Sequence, residues 1–252
     1  MQMTGNTIFI TGGTSGIGRG LAEAFHRLGN KVIIAGRRKA LLDEVATANP
    51  GIEGIELDIA DPADVARVAA KLISDHPALN VLINNAGIMP FDDASGSIDE
   101  AVMRQLIDTN LVGPILMTSA LIEHLKSQSR ATIIHNTSVL AFVPLAATAI
   151  YSATKAALHS YALSQRFKLR NTTVRVQEIA PPWVDTDLIK KSGDPRAMPL
   201  DAFITETMKG LETDSEEVFV EAIRVLRDNP GSGEHQLINS FNAEMEANPL
   251  PV

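Results

Sequence analysis

The sequence predicts a single α/β domain, residues 1–252, built on a doubly wound, mostly parallel sheet with helices on both faces. Three observations predict it. Short β-branched runs recur along the chain, stretches with helical periodicity separate them, and a glycine-rich turn follows the first run directly. Apolar strands alternating with amphipathic helices imply right-handed crossovers that cover a parallel sheet on both sides.

In chain order, TIFIT (7–11) reads as the first strand, followed by the turn TGGTSGIGRG and a helix over GLAEAFHRLG (20–29). KVIIAG (31–36) and GIELD (54–58) are the next two strands, and PADVARVAAKLISDH (62–76) is a helix. VLINNAG (81–87) is a strand, and one long helical pattern runs over 99–126. ATIIHNTS (131–138) is a strand that Ser138 ends, 151–170 is a helix, and VRVQEIAPP (174–182) is the sixth strand. After Pro181 the alternation lapses, and DLIKKSGDPRAMPLDAF (187–203) reads as a loop over a site, part of a substrate lid expected at about 185–212.

Composition narrows the function classes. Hydrophobic residues make up 45% and charged residues 21% of the 252, ordinary for a globular protein with a sizeable core. The formal charge of −8 argues against nucleic acid or an anionic membrane as a partner. The chain has no cysteine, which excludes disulfides, thiolate nucleophiles and cysteine metal sites; no metal is expected. The N-terminus has no basic segment followed by a long apolar one, and no run approaching ~18 apolar residues is expected, so the default location is cytoplasmic.

Chemistry concentrates at the strand ends. Gly12, Gly16 and Gly18 stand where the chain must turn sharply and open a helix whose first amides can face a pyrophosphate. At the end of the second strand, where an acidic residue would meet the ribose 2′-hydroxyl of NAD, the chain has Gly36, Arg37 and Arg38. No carboxylate repels a 2′-phosphate there, and a guanidinium can grip one with two parallel hydrogen bonds, so NADP(H) is the favoured dinucleotide. Both arginines, Arg38 more than Arg37, are also compatible with a solvated loop, and Ser15 adds no second cation.

In IYSATKAALHSYAL, Tyr151 and Lys155 are one helical turn apart on one face. A phenol that exchanges protons near neutral pH needs its pKa lowered by about three units, and an ammonium ~5 Å away is worth roughly 3 kcal/mol at an effective dielectric of 20. Lys155 is placed to supply that, although a Tyr and a Lys at this spacing also fit an exposed surface pair. Ser138, at a strand's carboxyl edge, is positioned to polarise a substrate carbonyl, or else to serve as a turn or cap residue. Asn110 lies within a helical pattern four residues before Pro114, which points to a local kink and a buried water, or else to a core asparagine that satisfies backbone groups.

Taken together, Thr11-Gly12-x-x-x-Gly16-x-Gly18, Asn84-Asn85-Ala86-Gly87, Asn110, Ser138 and Tyr151-x-x-x-Lys155 resemble the short-chain dehydrogenases/reductases of classical type, over about residues 5–190. APPWVDTDL and LAFVPLAA are similar to the DltE-like branch. The resemblance implies a Rossmann domain with a seven-stranded sheet ordered 3-2-1-4-5-6-7. It also implies an NAD(P)-dependent oxidoreductase, with NADP(H) favoured by Arg37 and Arg38, that interconverts a small-molecule ketone or aldehyde with an alcohol.

By that resemblance Tyr151 is the general acid/base, Ser138 binds the substrate oxygen, Lys155 tunes Tyr151 and holds the nicotinamide ribose, and Asn110 positions a water. Cofactor contacts are implied for Gly12, Thr14, Ser15, Gly16, Ile17, Gly18, Arg37, Arg38, Asp58, Ile59, Asn85, Ala86, Gly87, Pro181, Val184 and Thr186. Ile88, Met89, Val139, Leu140, Leu145, Trp183 and Leu188 would form an apolar substrate wall, although Met89, Leu145 and Trp183 also suit core packing. Two departures stand out: Pro182 replaces a glycine usual after the sixth strand, and the usual Val-Asp-Gly-Gly ending is missing.

A homodimer or homotetramer is implied through helices 99–126 and 151–170, where Ala153, Ala156 and Ala157 permit close packing. A dinucleotide-sensing protein on the same fold would be expected to lose the proton-transfer residues, and all are present. A nucleotide-sugar epimerase relative would be expected to be longer.

Overall fold

The computed structural model describes residues 1–189, 193–228 and 233–249. Strands β1 (Thr7–Thr11), β2 (Lys31–Gly36), β3 (Ile52–Glu56), β4 (Leu79–Asn84), β5 (Ala131–Asn136), β6 (Val174–Ile179) and β7 (Glu217–Val218) form one parallel sheet in the order β3-β2-β1-β4-β5-β6-β7. This is the order the resemblance implies. The direction of winding reverses between β1 and β4, and a crevice opens there at the carboxyl ends of the strands.

Helices α1 (Gly16–Arg27), α2 (Lys39–Ala48), α3 (Pro62–Asp75), α4 (Glu100–Ile107), α5 (Gly113–Ser127), α6 (Ala149–Leu169), α7 (Leu200–Glu212), α8 (Arg224–Arg227) and α9 (Glu234–Ala247) complete the described chain. β4 and β5 are buried along their whole length because side chains on both of their faces pack under helices. Ile8 and Ile10 point to one face with Leu21, Phe25, Ile34 and Phe203. Phe9 points to the other with Ile33, Leu72, Leu82, Leu121 and Ile133. Asp61 and Asp99 cap α3 and α4 by accepting from amides of the first turn.

Several boundaries differ from the sequence expectations. The single helix expected over 99–126 is broken by a π-helical turn, Asp108–Val112, between α4 and α5. Pro114 has no N–H to offer the Asn110 carbonyl, and the ladder widens there. The expectation that no segment is apolar enough to span a membrane also needs correction: Glu100–Ser127 contains an 18-residue window of mean hydropathy 1.2. Part of this segment packs into the core, with Leu106, Met117, Leu121 and Leu125 essentially inaccessible, whereas Val102 and Val112 are exposed.

Ser138 lies two residues beyond the end of β5, at the N-cap of a short 3-10 turn, Val139–Ala141, and does not end the strand itself. In the lid expected over 185–212, Asp187–Ile189 is a short 3-10 turn and the described residues 193–199 are irregular. From Leu200 the segment is helix α7, which buries Phe203, Ile204 and Leu211 in the core, so only its first half borders the crevice. Residues 190–192 of that segment lie outside the described residues. Helices α2 and α9 were not read from the sequence.

Candidate active site

The cradle at the crevice is built from β1 outward. Gly12 has φ +67, and a Cβ there would stand 2.8 Å from the Ala86 Cα, so the turn admits only glycine. A Cβ on Gly18 would fall 2.2 Å from the Gly12 carbonyl oxygen. α1 therefore starts tight against the turn. Ser15 at its N-cap makes no side-chain cap bond to the first amides of the helix.

Thr11 Oγ1 accepts from the amides of Asn85 and Ala86, at 3.0 and 3.1 Å. Asn85 Nδ2 donates to the Thr11 and Gly12 carbonyls, and Asn85 Oδ1 accepts from Asn136 Nδ2 at 2.7 Å. One asparagine thus ties the glycine turn, the segment after β4 and the end of β5 together.

These residues border a cavity of about 1040 Å³. Every residue the sequence assigned to the dinucleotide lies along it: Gly12, Thr14, Ser15, Gly16, Ile17, Gly18, Arg37, Arg38, Asp58, Ile59, Asn85, Ala86, Gly87, Pro181, Val184 and Thr186, with Tyr151 and Lys155. Arg37 and Arg38 are both exposed at the end of β2. Arg38 folds back over the turn, Nη2 lying 3.4 Å from Thr14 Oγ1 and 3.5 Å from Ser15 Oγ. The sequence reading put more weight on Arg37, and the geometry brings Arg38 closer to the turn.

At the other end, Ser138, Tyr151 and Lys155 converge. The Ser138 side chain hydrogen-bonds the Tyr151 phenol and also accepts from the Leu140 amide at 3.1 Å. Lys155 Nζ donates to the Asn136 carbonyl at 2.8 Å and sits 5.5 Å from the centroid of the Tyr151 ring. Burial pushes the Tyr151 phenol up to about 12, and the Ser138 hydrogen bond pulls the other way. The sequence expectation of a lowered phenol is corrected on this point. It counted the attraction of the ammonium but not the cost of burying a phenolate, and Lys155 lies over the ring face. Burial also pushes Lys155 down to about 8, opposed by the charge of Glu178.

Asn110, fully buried, does not border the cavity. Its Oδ1 accepts from the Ile88 amide and its Nδ2 donates to the Ile88 carbonyl, both at 2.9 Å. The side chain therefore holds the Ile88 backbone.

The apolar wall is assembled largely as expected, since Ile88, Met89, Val139, Leu140, Leu145, Trp183 and Leu188 all border the cavity. Leu145 is buried, whereas Leu188 is 45% exposed at the rim. Sequence reading missed Arg196, whose guanidinium lies 5.1 Å from the Trp183 ring, and Phe241, Glu244 and Met245 of α9. Leu237, Ile238, Phe241 and Met245 are helically spaced, which was the available signal.

A doubly wound sheet with a glycine cradle at its switch point and a Ser-Tyr-Lys cluster beside it defines a nicotinamide dinucleotide-binding oxidoreductase. A profile of the short chain dehydrogenase family matches residues 6–197, and the chain belongs to that family, in its DltE-like branch. It is 38% identical over 250 residues to the uncharacterized oxidoreductase DltE of Bacillus subtilis, covering 97% of this chain and 99% of that one. A short chain dehydrogenase from Burkholderia cenocepacia, solved in complex with NADP, superposes with a TM-score of 0.84 at 28% identity, covering 96% of this chain and 99% of the other. One from Sphingobium yanoikuyae in complex with NADPH gives 0.81 at 25%, covering 93% and 95%.

Proposed function

We propose that the protein is an NADP(H)-dependent carbonyl reductase, also competent as an alcohol dehydrogenase, acting on small ketones or aldehydes. The observation that carries this reading is the convergence of Ser138, Tyr151 and Lys155 at one end of a single cavity whose other end is a glycine cradle flanked by two arginines. The close approach at Gly12 fits a dinucleotide, because a side chain there would fill the cradle. Arg37 and Arg38 would take the 2′-phosphate, Asp58 and Ile59 the adenine, and Asn85 to Gly87 the adenosine ribose. Lys155 would hold the nicotinamide ribose, with Pro181, Val184 and Thr186 bordering the nicotinamide end. The bound dinucleotide supplies or accepts the hydride.

The chain's own residues handle the proton. Ser138 Oγ donates to the carbonyl oxygen and orients it toward Tyr151. A phenol near 12 keeps its proton at neutral pH and is ready to donate it as negative charge develops on the substrate oxygen. The phenolate left behind is stabilised by Lys155, which is still mostly charged at pH 7. The protonated phenol is the form that the reduction step requires, and the phenolate is the form that the reverse oxidation requires. The Leu145, Trp183 and Met245 surfaces suit an alkyl or aryl substituent.

A homodimer or homotetramer through α5 and α6 belongs to the same proposal. Leu163 and Phe167 are 45% and 62% exposed on α6, and Ala153 is exposed on that helix too.

The test is a panel of ketones and aldehydes with NADPH and NADH in parallel, on the wild type and Tyr151→Phe. Turnover by the wild type, lost by at least ~1000-fold in the variant with NADPH affinity retained, is the expected result. A variant that turns over like the wild type removes Tyr151 from the reaction.

A further inference from the structure

Behind the Ser-Tyr-Lys cluster lies a second polar group. Glu178, on β6, has no solvent exposure. Its carboxylate accepts from Thr137 Oγ1 at 2.6 Å and faces His159 Nδ1 at 2.8 and 3.0 Å through its two oxygens. Both contacts lead back to the reaction centre. Thr137 stands between Asn136, whose carbonyl holds Lys155, and Ser138. His159 is one turn beyond Lys155 on α6.

Charged and titratable groups besides His159 stand around the Glu178 carboxylate. On β7, Glu217 brings a carboxylate oxygen within 4.8 Å of a Glu178 carboxylate oxygen and of a His159 ring nitrogen. Its charge is matched by Arg227 of α8, at 2.9 and 3.1 Å. His135 of β5 is held below its ordinary value by burial and is neutral at pH 7. Tyr151, the other ionisable group beside Lys155, keeps its proton. Glu178 and Lys155 are both buried, the latter only 4% exposed, and the carboxylate opposes loss of the Lys155 proton.

We propose that Glu178 is a positioning residue for the Tyr151–Lys155 pair: fixed by Thr137 and His159, its carboxylate supplies the counter-charge that keeps the buried Lys155 ammonium charged against the Asn136 carbonyl. The inference rests on the proposed proton-transfer role of Tyr151 and Lys155. A buried lysine without a counter-charge sheds its proton more easily, and Tyr151 then loses its cation as the pH rises.

The experiment follows Lys155 itself. On the full-length chain without added dinucleotide, the pH dependence of Lys155 reductive methylation by formaldehyde and a borane is read by peptide mass spectrometry, because only the neutral amine reacts. In Glu178→Gln the midpoint falls by about one pH unit, and in Glu178→Asp, which keeps the charge, it stays near the wild-type value. His159→Arg sets a permanent cation against Glu178 without altering it, and it too lowers the midpoint, which keeps the test decisive if Glu178→Gln fails to fold. Alongside, the alkaline loss of NADPH-driven turnover moves to lower pH by the same interval, whereas a merely structural lesion lowers turnover at every pH without moving the limb.

Midpoints unchanged in the charge-altering variants overturn the role of Glu178 even if the wild type reduces carbonyls. A shifted midpoint in a protein that reduces none sustains the Glu178–Lys155 coupling and removes the reductase reading.

Discussion

At the scale of single residues, the two arginines after β2 carry the choice of dinucleotide. Neither forms an ion pair among the described residues, and Arg38 leans over Thr14 and Ser15 while Arg37 points to solvent at the cavity edge. Charge-assisted hydrogen bonds to a phosphate are worth about 1.5–3 kcal/mol each. Arg38→Asp is therefore expected to weaken NADPH by about 10- to 100-fold and to leave NADH nearly untouched, read by fluorescence titration of both dinucleotides. Arg37→Asp gives the smaller effect if proximity to the turn decides. Equal losses for the two dinucleotides would show that neither residue reads the 2′-phosphate. Arg37, Arg38, Ser138, Tyr151 and Lys155 were legible in the sequence because each sits at a strand end or one helical turn from another. The raised phenol of Tyr151 was not, since desolvation depends on what packs around a side chain and not on its spacing.

At the scale of elements, the strands were legible because β-branched runs between turn residues have few alternatives, and their boundaries slipped by about two residues where pairing partners decide the register. The break between α4 and α5 was half legible: Asn110 and Pro114 announced an irregularity but not a π turn. α9 went unread although its apolar spacing was present. It buries no residue fully, and tertiary hydrogen bonds hold it. Asn242 accepts from the Ala146 amide and donates to the Pro144 carbonyl at 3.0 Å, and Arg196 donates to the carbonyls of Asn248 and Pro249. These bonds seat Phe241 and Met245 over the apolar wall. Asn242→Ala is expected to raise KM for the carbonyl substrate about fivefold, one net hydrogen bond in worth, with kcat and NADPH affinity little changed. Steady-state kinetics with both substrates varied checks this, and an equal fall in kcat and NADPH affinity would place α9 elsewhere in the cycle.

At the scale of the molecule, the reaction centre is a local cost that the rest of the fold sustains. Two packed layers on a seven-stranded sheet hold a lysine at 4% exposure, with its folded pKa at about 8 against an ordinary 10.5. Between those two values the unfolded chain binds a proton that the folded chain does not, so the stability contributed at this site rises with pH through that window. At pH 7 the site instead bears the cost of a buried charge. Lys155→Met removes that cost, although it also takes a donor from the Asn136 carbonyl. The variant is expected to be inactive yet more stable at pH 7, by on the order of 1–3 kcal/mol. Its lead over the wild type narrows as the pH passes from about 8 toward 10.5, because the wild type recovers there what the variant never lost. Chemical denaturation at a series of pH values measures the difference directly. A lead that stayed constant over that range would mean that Lys155 does not change its proton affinity on folding, and that the stability gain comes from packing alone.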